Sequence, residues 1–237
     1  MRRKSYFLLF WPVYLIAILC FVVATIGTDR AATTFGENVP IPREKTIVID
    51  AGHGGEDGGA ISCSGVLESS INLEISLRLN DLMNLLGYQT VMIRTTDTSV
   101  YTEGKTLAQK KISDLKRRVA IVEAYRNPLL VSIHQNTFSD PKYSGAQVFF
   151  APVKESKALA DDLQHALIST CNPGSNRKAK AADGIYLMQH ISCPGVLVEC
   201  GFLSNPTEEA RLRSNAYQKQ LCCVIAATLG NYLSAMA

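Results

Sequence analysis

The sequence predicts an α/β fold: a single domain on a mostly parallel, mixed sheet of about six strands with helices on both faces, preceded by an N-terminal transmembrane helix. Three observations carry this. Short β-branched runs recur that are mostly apolar, as strands buried on both faces are. Apolar residues spaced by three and four fill the stretches between them. A charge-free run of twenty-one residues, 6–26, follows a basic cluster at the start of the chain.

That run is long enough to span a bilayer as a helix, and Arg2, Arg3 and Lys4 orient it with its start on the cytoplasmic side. A cleaved signal peptide also opens on basic residues, but its apolar region is shorter, and Thr25-Ile26-Gly27 makes a poor cleavage site. Residues 1–28 are therefore expected to form a membrane anchor or signal segment, 29–45 (with Pro40 and Pro42) a linker, and 46–237 the folded domain, lying outside the cytoplasm.

Within the domain, 46–50 (TIVID), 89–93 (QTVMI), 129–133 (LLVSI) and 196–199 (VLVE) are expected as central strands, with 147–150 and 185–188 as weaker, edge candidates. Leu73 and Leu77 lead a helical pattern that runs to Leu86 and stops at Gly87. Leu115, Val119 and Val122 mark a second helix, Leu159, Leu163 and Leu167 a third, and Leu221, Ile225, Leu229 and Leu233 a last. Asn205-Pro206-Thr207-Glu208 is a helix start, with Asn as N-cap and Pro at the first position.

Composition narrows the function. The 24 Lys and Arg exceed the 21 Asp and Glu by three, and the three N-terminal basic residues supply that whole excess. No basic surface for nucleic acid is expected on the domain. An apolar content of 47% excludes a disordered chain. The seven cysteines (20, 63, 171, 193, 200, 222, 223) contain no Cys-x-x-Cys pair and are expected as buried thiols, not as a disulfide framework.

Open α/β sheets place their sites beyond the carboxyl ends of the strands. The first strand runs into Gly52-His53-Gly54-Gly55, a loop able to turn sharply. It is not a dinucleotide fingerprint, since Asp57 stands where the third Gly belongs. Gly104-Lys105-Thr106 is not a phosphate loop, since Ser99 takes the first Gly position. The strand at 129–133 delivers His134, that at 196–199 ends on Glu199, and Glu68 stands just before the first helix. Two histidines and a glutamate from separate elements have the composition of a catalytic zinc site with one position open. A carboxylate such as Glu199, directly after an apolar strand, is costly to bury without a partner. His165 and His190 fit no metal pattern, and Arg94, Asp97, Asp114 and Arg118 are expected as structural ion pairs.

Six separated motifs also carry a resemblance: 47–60 (IVIDAGHGGEDGGA), Glu68, Arg94-Thr-Thr-Asp97, Asp114-Leu115 with Arg118, Ser132-Ile-His-Gln-Asn136 and Glu199-Cys-Gly-Phe-Leu-Ser-Asn205. In this order they resemble the zinc-dependent N-acetylmuramoyl-L-alanine amidases over about 46–233. The N-terminal anchor, the absence of an added wall-binding repeat and the stretches 143–147 (YSGAQ) and 178–189 (KAKAADGIYLMQ) resemble the germination-specific, spore-cortex branch of that family. Gln135 departs from the small residue that many members carry after the His. The resemblance implies Zn2+ held by His53, Glu68 and His134, with Glu199 as catalytic acid/base. It implies peptidoglycan as substrate, cut between N-acetylmuramic acid and L-alanine toward muramic δ-lactam, and leaves open an accessory protein. Another zinc hydrolase of the wall, a peptidase or a sugar N-deacetylase, and a non-catalytic wall-binding module are the rival readings. The segment 137–145 and the run Arg177-Lys178-x-Lys180 are candidates for contact with the acidic stem peptide, the run equally serving only to solvate a loop.

Overall fold

The first strand, β1 (Thr46–Ala51), is buried along its whole length, as an apolar run covered on both faces should be. It pairs in parallel with β2 (Thr90–Met92) on one side and β3 (Pro128–Asn136) on the other. The latter pairs in parallel with β6 (Gly195–Phe202). Beyond it, β4 (Gln147–Phe150) runs antiparallel to β6 and parallel to the two-residue β5 (Lys180–Ala181). The order β2-β1-β3-β6-β4-β5 makes the mixed six-stranded sheet that was expected. This computed structural model describes residues 45–236. The expected membrane segment at 6–26 lies outside them, and among the described residues no helix is long and apolar enough to cross a membrane.

One expected strand is wrong. Residues 185–188 fall in a short helix, α4 (Tyr186–His190), and the edge strand is β5 instead. A four-residue apolar run does not separate strand from helix by periodicity. Here the adjacent Leu187 and Met188 are both buried, whereas the true edge strand is exposed and polar and carries no hydrophobic signal.

Strand alternation divides the core in two. Ile47 and Ile49 of β1 face helices α1 (Glu68–Leu85), α3 (Ser156–Cys171) and α6 (Asn215–Ser234), through Ile75, Leu163 and Ile225 among others. Val48 faces the opposite layer, where Val122 of α2 (Leu107–Glu123) and Met188 of α4 pack. The remaining helix, α5 (Pro206–Leu212), starts as expected: the Asn205 side chain accepts hydrogen bonds from the Thr207 and Glu208 amides, with Pro206 at the first position. The Gly-Lys-Thr run proves to be another helix start, Thr106 forming a capping box with Gln109. Cys171, Cys193, Cys200 and Cys222 are free, buried thiols, while Cys63 and Cys223 are exposed. Adjacent helical residues point about 100° apart, so Cys223 does not follow Cys222 inward.

What this layout does for function is to end β1, β3 and β6 at one rim. His134 and Glu199 are register partners across β3 and β6, and β1 passes directly into Gly52 and His53.

Candidate active site

His53 sits in the left-handed region, φ 58°, which non-glycine residues adopt only when the surroundings hold them there. Two arginines do so. Arg94 Nε donates to the Ala51 carbonyl at 2.8 Å, and its Nη2 donates to the Gly52 and Ser69 carbonyls at 2.9 and 2.8 Å. Arg118 donates to the carbonyls of Ala51 (3.0 Å) and His53 (2.7 Å). Arg118 is also the expected ion-pair residue, bound to Asp50 and, at 2.6 Å, to Asp114. Arg94 pairs with the half-exposed Asp97 as expected, at 3.9 Å, but its guanidinium mainly serves main-chain carbonyls.

Glu68, the first residue of α1, lies between the two histidines. Its Oε2 is 3.3 Å from His53 Nε2 and its Oε1 3.0 Å from His134 Nδ1. One ligand atom from each of the three residues falls within 4.8 Å of the others. Two glycines and two amides make the approach possible. A Cβ on Gly52 would collide with the His134 ring, and one on Gly59, whose φ is +70°, would come within 2.6 Å of Glu68 Oε2. Asn72, one turn along α1, donates to Glu68 Oε1 at 3.1 Å, and the Ala60 amide donates to Oε2 at 3.0 Å. On His53 the other nitrogen, Nδ1, is 3.0 Å from Asp57 Oδ2. That carboxylate accepts from Nδ1–H and turns Nε2 toward Glu68.

The electrostatics follow from this crowding. Burial lowers the His53 pKa, but the hydrogen bonds to Asp57 and Glu68 outweigh it and hold the group up at about 9. Burial raises that of Glu68, yet the bonds from His134 and His53 keep its carboxyl well below the usual range. The cluster thus draws positive charge to the Glu68 carboxylate, a charge that a proton on His53 or a metal cation can supply. Two imidazoles and one carboxylate are a donor set suited to zinc, and the three leave a coordination position free.

Glu199 is different. Its Oε2 is buried without a hydrogen-bond partner among the described residues. Burial, the largest influence, pushes its pKa up to about 7, against the pull of His134 and His53. A carboxyl that titrates near neutrality beside a histidine-rich cluster is equipped to take and return a proton.

The family model for N-acetylmuramoyl-L-alanine amidases matches residues 47–231. The chain belongs to this amidase family. Among its relatives, the germination-specific N-acetylmuramoyl-L-alanine amidase of Bacillus subtilis (strain 168) is 38% identical over 187 residues, 76% of this chain and 76% of that protein. The CwlD amidase of Clostridioides difficile, solved in complex with the GerS lipoprotein, is similar with a TM-score of 0.76 at 40% identity, covering 81% of this chain and 99% of that one. An N-acetylmuramoyl-L-alanine amidase of Clostridium difficile 630 gives a TM-score of 0.71 at 27% identity, over 82% and 100%. By type, then, this amidase is an enzyme of cell-wall amide hydrolysis.

Of the residues singled out in the sequence, His53, Glu68 and His134 meet at one point and Glu199 lies on the neighbouring strand. His165 and His190 of the amidase are exposed, and His190 Nδ1 bonds only the Tyr186 carbonyl of its own helix, 2.8 Å away. Asp57 and Asn72 were missed. Asp57 had a signal, an acid four residues after a histidine in a glycine-rich loop; Asn72 had one only once Glu68 is placed at the helix start, one turn before it.

Proposed function

We propose that the amidase hydrolyses the amide joining N-acetylmuramic acid to L-alanine, with zinc held by His53, Glu68 and His134. The observation that carries the reading is the unpartnered Glu199 Oε2 beside that cluster. Zinc, when bound, supplies a Lewis acid that polarises the scissile carbonyl and acidifies water. Glu199 accepts the proton of the attacking water and returns it to the departing L-alanine nitrogen, because an amine leaves poorly as an anion. Asp57 holds the His53 ring in the one orientation that aims Nε2 inward, and Asn72 holds Glu68.

The test is digestion of purified peptidoglycan by the zinc-supplemented full chain, followed by mass analysis. New L-alanine amino termini and peptide-free muramic acid are expected. Free acetate, or cleavage inside the stem peptide, would point to a deacetylase or a peptidase.

The germination-specific relative supports a finer assignment, to germination, and we take the spore cortex as the site of action. In that role the product is a peptide-free muramic acid on the way to muramic δ-lactam, formed outside the cytoplasm between the forespore membranes. Cells lacking the gene are expected to make cortex without the lactam; a normal lactam content rules this role out. Residues 6–26 serve in this reading as the membrane anchor. A lipoprotein is the candidate accessory protein, since the related CwlD amidase was solved with one.

A further inference from the structure

A groove of about 830 Å³ opens between the 142–145 and 172–177 loops and the start of α5. Three cations line it, Lys142, Arg177 and Arg211, against one carboxylate, Glu208. Both Glu208 oxygens are taken by the Gly145 amide, and one also by that of Phe202, all at 2.9 Å. Lys142 is paired with Asp140 at 2.7 Å.

The two arginines are held differently. Arg177 Nε donates to the Ser144 carbonyl at 3.0 Å, its Nη1 lies 3.5 Å from Gln147 Oε1, and its guanidinium lies over the Phe202 ring. Arg211 Nη2 donates to the Cys171 carbonyl at 2.8 Å and its guanidinium stacks on Tyr217. These bonds run to main-chain and amide oxygens, not to carboxylates. Each guanidinium is oriented, half-buried and keeps donors to spare, the condition in which arginine binds a carboxylate through two parallel bonds.

The groove is also in reach of the reaction. Phe202 is three residues beyond Glu199 on β6, and Gln147 is the register partner of Glu199 on β4. Adjacent strands lie about 4.8 Å apart and an extended peptide advances about 3.4 Å per residue. Through Phe202 and Gln147, Arg177 is therefore tied to the two strands that meet at Glu199, a few residues from it.

We infer that Arg177 and Arg211 form the subsite for the stem-peptide carboxylates beyond the L-alanine, so that the amidase selects an acidic stem over an amidated one. This rests on the amidase reading and adds a substrate preference to it. The probes are two N-acetylmuramoyl tripeptides, L-alanyl-γ-D-glutamyl-L-lysine with both carboxyls free or both amidated, titrated against the zinc-supplemented full chain and assayed for cleavage in parallel.

The wild type is expected to bind the free acid about tenfold to a hundredfold more tightly, the range of charge-assisted hydrogen bonds. Arg177→Gln is expected to shrink that ratio severalfold, chiefly by weakening the free acid. A merely structural role would weaken both compounds alike and leave the ratio standing, which overturns the inference. So does equal binding of the two compounds by the wild type, a result that needs no variant to fold. Preference for the acid with cleavage of neither compound upholds the subsite and removes the amidase reading instead.

Discussion

Glu199→Gln is expected to lower kcat by about 10²–10⁴, the usual contribution of a positioned acid or base, and to leave zinc content at one ion per chain. Glutamine keeps the size and the burial of the side chain and takes away only its capacity to carry a proton. His134→Ala should give the opposite separation, losing stoichiometric zinc because the imidazole that faces Glu68 Oε1 at 3.0 Å is gone. Metal analysis beside steady-state kinetics distinguishes the two roles. Near-normal turnover by Glu199→Gln would reassign the proton transfer to another group.

The same residue predicts two pH effects of defined sign. As a base Glu199 must be ionised, so kcat/KM falls as pH drops through its pKa, which burial pushes up to about 7. A cation in the cluster favours the ionised form, and the acid limb of the zinc enzyme is expected below that value. Stability responds in the other direction. A carboxyl whose folded pKa is raised costs nothing while protonated and destabilises the fold as pH rises from the unfolded value, 4.5, through about 7. In a chelator at pH 8, Glu199→Gln should therefore unfold at higher urea than the wild type. A lower midpoint would mean that the buried Oε2 is satisfied by something other than a reaction partner.

Much of this was legible because burial and chemistry leave different marks. β1, β3 and β6 are covered on both faces, so their runs are mostly apolar, and His53 just past β1 and His134 and Glu199 near the ends of β3 and β6 stand out against them. Glu68 was visible for its position beside a helix start, though it proves to be inside the helix as its first residue. The edge of the sheet was not legible. β5 is two exposed residues whose pairing with Phe149 and Phe150 comes from tertiary placement, and the apolar 185–188 segment looked more like a strand than the strand itself. The main role of Arg94 was hidden for a related reason. Its ion pair with Asp97 is present, but it also bonds carbonyls 43, 42 and 25 residues away.

The largest stability effect is expected at Arg118. Its side chain is 3% exposed and that of Asp50 is 1% exposed. Asp50 otherwise has the Ser132 hydroxyl, which donates to it at 2.6 Å. Burial raises the Asp50 pKa, but Arg118 and the nearby donors hold it below the ordinary value. Arg118→Met removes the countercharge and leaves that carboxylate stranded, a loss of about 3–5 kcal/mol from a fold whose total stability is on the order of 5–15 kcal/mol. Asp50→Asn in the same chain should restore part of it, since no unpaired buried charge then remains, and urea unfolding of the two single variants and the double measures the coupling. The clamp on the His53 carbonyl is a separate matter, because it needs the guanidinium itself. The double variant is accordingly expected to regain stability without regaining zinc affinity, read by competition with a chelator. Recovery of both together would show that Arg118 acts on the site only by keeping the domain folded.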